Sequence, residues 1–199
     1  MIHPRRIVPL LALLATVTAL PARAADVYTI DRRSGRIEFT VGHMGLFQSH
    51  GEFMRFDSRL MIDREHPERT TVAVVIHVGS VTMPWENSAD LLRSPEFFDA
   101  VHHPDARFTS TAVVPVSADH YAVRGTLELR GVTRPVQLDA RLKDRHFDAA
   151  TQSEVADFVV QGQVQRSAFG MTTESLFISD EVDINILARL ILAEPPHAG

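Results

Sequence analysis

Ten histidines and no cysteine set the terms for reactive chemistry in this 199-residue chain. Without thiolates there can be no disulfide, cysteine nucleophile, zinc finger, iron–sulfur cluster or lipoprotein anchor. Histidine remains as a metal ligand or base, but its spacing argues against both roles. His102 and His103 are adjacent, so on extended backbone their rings point to opposite sides, and His102-His103-Pro104 reads as a loop leading into a strand. His43 and His50 flank an expected loop and have no carboxylate pair at ligand spacing. Neither His-x-x-x-His nor His-Glu-x-x-His occurs, so no metal and no cofactor is expected.

Hydrolytic chemistry fares no better. The Gly-x-Ser-x-Gly nucleophile elbow is missing, and Ser94 and Ser167 are expected to serve as helix caps. Asp180, Glu181 and Asp183 read as the solvated start of a strand. Spacing alone does not rule out a glycosidase carboxylate pair, because the fold sets that geometry. No glycine loop of the phosphate-binding kind is present. A formal net charge of −5, with Lys143 the only lysine, argues against nucleic acid, which needs a basic face. The expectation is a protein that is not an enzyme.

What the chain has in quantity is apolar surface. It is 45% hydrophobic with 11 Phe and a single tryptophan, Trp85. These residues fall mostly in period-two runs, the pattern of half-buried strands. Tyr121, Val123, Gly125, Leu127 and Leu129 alternate with polar residues. Past a turn at Gly131–Val132, Val136, Leu138, Ala140 and Leu142 do the same, so the two runs predict a hairpin. Val182, Ile184, Ile186 and Ala188 form a further run. Less regular strands are expected over Val27–Arg32, Arg36–Val41, Gly51–Ile62, Thr71–Val81, Ala106–Val116 and Val155–Arg166. A β-bulge between Phe53 and Phe56 would bring Phe53, Phe56, Leu60 and Ile62 to one face.

Helix is expected in only two places. Asn87–Ala100 reads as a short helix capped by Asn87 or Ser88, ended by Pro95, and restarted as a turn carrying Phe97 and Phe98. Ser167–Met171 is the second. Eight or nine long antiparallel strands must close or split into layers. Inward faces mix large Phe39, Phe53, Phe108 and Phe158 with small Ser110, Ala112, Gly125, Ala140 and Ala188. In an eight-stranded barrel that mixture fits either a filled core or an opening for one ligand.

The first residues read as a leader. Arg5 and Arg6 precede an apolar stretch 14 residues long, Ile7–Leu20, and then Ala22-Arg23-Ala24, a pattern read by signal peptidase. The stretch falls short of the ~20 residues that span a bilayer as a helix. A signal peptide over 1–24 is expected, with the product in the periplasm. Losing Arg5, Arg6 and Arg23 leaves 17 basic against 25 acidic residues, a net of −8.

In order along the chain, Tyr28-Thr29-Ile30-Asp31, His43-Met44-Gly45, Gly51-Glu52-Phe53, Ser80-Val81 and Leu92-Arg93-Ser94-Pro95-Glu96-Phe97-Phe98-Asp99 resemble the YceI-like family of periplasmic polyisoprenoid- or lipid-binding proteins. So do His103-Pro104, Phe108-Thr109-Ser110-Thr111, Gly125-Thr126-Leu127, Arg130-Gly131-Val132-Thr133-Arg134-Pro135, Arg166-Ser167-Ala168-Phe169-Gly170 and Asp180-Glu181-Val182. The sequence departs from the family pattern at Arg33, where His is usual, and at Ser88, Ala89 and Leu91, with Trp85 added upstream. The resemblance implies an all-β fold, an extended lipocalin-like antiparallel barrel of about eight strands with short helical inserts, over 25–194 and followed by a tail at 195–199.

Its implied ligand is an amphiphile with a long isoprenoid or fatty-acyl chain, held in an apolar pore. Neither a nucleic-acid partner nor a stable membrane anchor is expected; a dimer is compatible with the sequence. The pore-lining residues expected from the inward faces are Phe39, Val41, Phe53, Phe108, Ala112, Val123, Leu127, Leu138, Phe158, Val160, Ile184 and Ile186. Phe97 and Phe98 are expected to cover one end of the pore or to pack outside it. The alternative is a filled barrel that serves as a protein-interaction or stress-response module without a lipid.

Overall fold

A computed structural model describes residues 26–85, 87–149, 152–174 and 176–193. The expected leader at 1–24 and tail at 195–199 lie outside the described residues. In chain order the strands are β1 (Asp26–Ile30), β2 (Arg36–His43), β3 (Phe47–Phe53), β4 (Phe56–Ile62), β5 (Thr71–His77) and β6 (Val81–Thr82). Helix α1 (Ser88–Arg93) follows, then β7 (Asp105–Ser117), β8 (His120–Leu129), β9 (Val132–Asp148), β10 (Ser153–Gln165) and β11 (Ile178–Leu192).

Eleven strands make only eight staves. The early part of β11 pairs with β2 and its last residues pair with β1, so β1 and β2 are two halves of one interrupted stave. Likewise β3 and β4 pair with β2 and β1, and β6 and β5 pair with β3 and β4. From there β5, β7, β8, β9, β10 and β11 are joined in sequence order, and β11 meets β1 to close the barrel. Every neighbour is antiparallel, which gives an eight-stave up-and-down barrel.

The three interruptions lie side by side. The first is the turn Asp31–Gly35, where Gly35 N–H donates to the Asp31 carbonyl at 2.7 Å. A Cβ on Gly35 would stand 2.5 Å from Ile30 Cγ2, so the turn needs glycine for close approach. The second is Met54–Arg55 and the third a 3-10 turn at Val78–Ser80. Ser80 serves both of these: its carbonyl accepts from Met54 N–H, its Oγ accepts from Arg55 N–H at 3.0 Å, and its hydroxyl donates to the His77 carbonyl at 2.6 Å. The backbone groups released by the broken ladder therefore find partners.

Two sequence expectations are corrected here. Gly51–Ile62 is not one bulged strand but β3 and β4, because each half takes a different neighbour. Thr71–Val81 is split for the same reason. The hairpin of β8 and β9 is as expected, but its turn centres on Arg130 and Gly131, both at positive φ (54° and 72°). The second helical insert is the 3-10 turn Arg166–Phe169.

Serine chemistry also differs from the caps expected. Asn87 makes no side-chain capping bond, and Ser94 ends α1, its hydroxyl donating to Glu96 rather than capping a second turn. Ser167 sits inside the 3-10 turn and donates its N–H and hydroxyl to Asp180, both at 2.8 Å. Those two bonds hold the Asp180 carboxyl below the usual carboxylate range. Asp180 is thus a tie between two elements, not merely a solvated strand start.

Candidate functional site: the barrel lumen

Loops after β2, β6, β8 and β10 gather at one end of the barrel, together with α1; loops after β4, β7 and β9 gather at the other. Between these ends the barrel encloses a cavity of about 600 Å³ whose wall draws side chains from all eight staves. This interior is not the filled core of the alternative reading. Each stave contributes alternate residues, such as Val72, Val74 and Ile76 on β5 or Val123, Leu127 and Leu129 on β8. The pleat points every second side chain inward, which is why a period-two pattern becomes a continuous apolar wall.

Thirteen of the fourteen residues expected from sequence stand in this wall: Phe39, Val41, Phe53, Phe97, Phe98, Phe108, Val123, Leu127, Leu138, Phe158, Val160, Ile184 and Ile186. Ala112 does not. The register of β7 against β8 shifts between Ser110 and Ala112, and this extra residue turns Val113 inward instead. Nothing in the apolar parity of Ala106–Val116 marked that bulge.

Rings are kept flat on the wall by missing side chains. A Cβ on Gly51 would fall 2.2 Å from Phe39 Cζ, and one on Gly125 would fall 2.6 Å from Phe108 Cζ. Each glycine lets the neighbouring ring fold down onto the sheet rather than project across the lumen. Leu138 lies over Gly162 in the same manner.

Phe97 and Phe98 close the helix end from within. Phe98 packs against Phe53 (5.5 Å between centroids) and edge-on to Phe39 (6.1 Å), while Phe39 and Phe53 also touch at 5.5 Å. Two arginines hold the segment behind this plug. Arg93 donates to the carbonyls of Gly79 and Val81, both at 2.9 Å, and Arg130 donates to those of Pro95 and Phe97. The plug is therefore tied to the barrel by two arginine side chains whose acceptors are backbone carbonyls.

Polar groups reach the lumen only near its ends. At the helix end His43 Nε2 and Ser49 Oγ lie 2.6 Å apart, with Ser49 1% exposed. Arg166 is also buried there. It donates to the carbonyls of Met171, Thr173, Ile178 and Ser179 and so fixes the loop between β10 and β11.

At the opposite end Arg64 donates to Tyr28 Oη at 2.8 Å and pairs with Glu154 at 3.1 Å; Arg145 reaches the same carboxylate at 3.3 Å. Burial works against the Arg64 charge, but these partners outweigh it and raise its pKa.

Among the described residues one trio, Asp144, His146 and Asp157, brings three ligand atoms within 4.8 Å of one another. It lies on the outer face, away from the lumen. Arg189 already holds Asp157 through two bonds of 2.8 Å, placing a positive charge where a cation would sit. His102 bonds Asp99 at 2.8 Å and His103 stands beside Gly131, so the adjacent pair does not converge on one point.

Sequence reasoning missed Val72, Val74 and Ile76, although their alternation was available once Thr71–Val81 had been assigned a face. It also missed Arg64, Arg145, His43 and Ser49 as wall residues. No local pattern distinguishes a polar residue at a barrel rim from one in an ordinary loop. No helix among the described residues is long and apolar enough to cross a membrane.

Comparison with known proteins agrees with this architecture. The YceI-like domain matches residues 28–190. A UPF0312 protein of Pectobacterium carotovorum is 34% identical over 184 residues, covering 92% of this chain and 94% of the relative. Protein YceI of Salmonella arizonae is 32% identical over 164 residues, covering 81% and 85%.

Among solved structures, BcnA of Burkholderia cenocepacia superposes with a TM-score of 0.71 at 22% identity, covering 81% of this chain and 99% of BcnA. A polyisoprenoid-binding domain from Saccharophagus degradans gives 0.60 at 16% identity, covering 86% and 100%. These structural likenesses concern the fold. The match across nearly the whole described barrel, with relatives above 30% identity over most of their length, places this chain in the YceI-like family.

Proposed function

We propose that this protein binds an amphiphile with a long isoprenoid or acyl chain inside the barrel and carries it through the periplasm. The observation that carries the reading is the continuous apolar lumen of about 600 Å³. That size lies within the range of small-molecule sites. Burying a chain there gains about 0.8 kcal/mol per CH₂ removed from water, so the tail supplies most of the affinity. With polar groups confined to the two ends, the wall offers little to distinguish one hydrocarbon tail from another. Tail bulk would be read by the lumen and the head group by its rim.

Support also comes from the fold shared with a domain described as polyisoprenoid-binding. The sequence features of an exported leader support the periplasmic location.

Organic extraction of the purified protein followed by mass spectrometry should release a stoichiometric isoprenoid or acyl lipid. The delipidated protein should take up a polyprenyl phosphate or a fatty acid again. Protein that is clean on extraction and takes up neither would sink the reading.

A further inference from the structure

The two ends of the barrel differ sharply in chemistry. At the end opposite α1 the loop after β4 reads Asp63-Arg64-Glu65-His66-Pro67-Glu68-Arg69, and the Arg64–Glu154–Arg145 cluster stands beside it. At the helix end the tips are apolar and exposed. Leu46 and Phe47, in the turn from β2 to β3, are 77% and 71% exposed, and Leu176, in the loop after β10, is 89% exposed. Met44 and Phe177 join them, linked by a bond from Met44 N–H to the Phe177 carbonyl at 3.0 Å. Trp85 and Leu91 complete the collar from the α1 side. The nearby exposed charge of Asp90 is paired with Arg93 at 2.7 Å.

Trp85 and Leu91 belong to the collar and to the lumen wall at once. The exposed apolar surface is therefore continuous with the cavity. We infer that this collar docks on a lipid bilayer, with the tips of the two loops and Trp85 inserted to the level where head groups meet acyl chains, and that the tail passes between bilayer and lumen there.

A hydrocarbon phase is the occupant that both removes the collar from water and meets the lumen with matching chemistry; a polar protein surface would do neither. Trp, Phe and Leu at the rim suit the bilayer interface. Since no ring of basic residues surrounds the collar among the described residues, insertion should not depend on anionic lipid. Val101, 85% exposed in the connection from α1 to β7, lies at this end too, whereas Val114, Val116 and Phe147 lie toward the other. Phe147 is the largest of them at the charged end, where Arg64, Arg145 and Glu154 oppose insertion. The inference rests on the carrier reading but fails separately from it.

The single tryptophan is a built-in reporter. With zwitterionic phosphatidylcholine vesicles, Trp85 emission should shift to the blue and be quenched by lipids brominated on the acyl chain, equally at low and high salt. The double variant Leu46→Glu, Phe177→Glu alters only exposed side chains. It should weaken vesicle binding about a hundredfold, as expected when two large apolar side chains no longer leave water. It should still take up a fluorescent fatty acid from solution. Phe147→Glu should leave vesicle binding intact.

Wild-type protein that takes up the fatty acid but shows no quenching would overturn the docking inference and leave the carrier standing. Equal loss in Phe147→Glu would also overturn it. So would a dimer with Trp85 already shielded in the absence of vesicles, which would put a second copy where the bilayer is placed here. Vesicle binding without any uptake would instead remove the carrier reading.

Discussion

Gly51 shows how one absent methyl shapes the lumen. Its neighbour on β2, Phe39, has its ring end 2.2 Å from where a Cβ would be, and this ring also touches Phe53 and Phe98. Gly51→Ala must lift the ring into the lumen and against the plug. The expected result is a loss of about 1–3 kcal/mol in urea unfolding together with weaker fatty-acid uptake. Adding Phe39→Leu should recover most of both, since the shorter side chain has nothing to lift; failure to recover would show that the strain lies elsewhere. Gly125 offers no such rescue, because the Thr109 carbonyl is 2.5 Å from the same position and belongs to backbone.

Strand pairing carries its own electrostatics. Arg189 of β11 grips Asp157 of β10 through both carboxylate oxygens. The hydrogen bonds to Arg189 outweigh burial and hold the Asp157 carboxyl below its ordinary range. A lowered carboxyl contributes stability above the unfolded-state value, roughly 3.9, and that contribution disappears as pH falls through the folded value. Asp157→Asn should therefore unfold more easily than wild type at neutral pH, by about 1 kcal/mol or less for a partly exposed pair. The gap should narrow as the pH is taken below about 4. A constant gap down to pH ~2 would mean that packing rather than charge makes the difference.

For the molecule as a whole, the question is whether the lumen is room that a ligand needs or slack in a core. Ala140 is buried, lies in the wall and faces neighbours from β8 and β10. In a filled interior, enlarging it would cost about 1–3 kcal/mol. With an open lumen, Ala140→Phe should cost under about 1 kcal/mol in denaturant unfolding, because the ring extends into space already present. Uptake of a long-chain fatty acid should fall, with the longest chains affected most. Strong destabilisation with unchanged uptake would count against the lumen as the binding site.

The alternation of apolar and polar residues was enough to specify most strands and their inward faces and, from their number and length, an antiparallel sheet that must close or split into layers; closure into a barrel was what the family resemblance implied. Most wall positions, among them Val123, Leu127, Leu138, Ile184 and Ile186, follow from parity alone, because a strand has only two faces. The ordered motifs gave the family for the same reason: turns and helix breaks depend on local residue types.

Parity fails wherever a strand slips or changes partner. The bulge that exchanges Ala112 for Val113 and the interruption at Met54–Arg55 both depend on which strand lies alongside, and that is not a local property. Phe97 and Phe98 could have packed on either side of the barrel. Their place inside is set by Arg93 and Arg130 reaching carbonyls far along the chain. The apolar collar likewise appears only when closure brings the turns after β2 and β10 to one end, since residues more than a hundred positions apart become neighbours there.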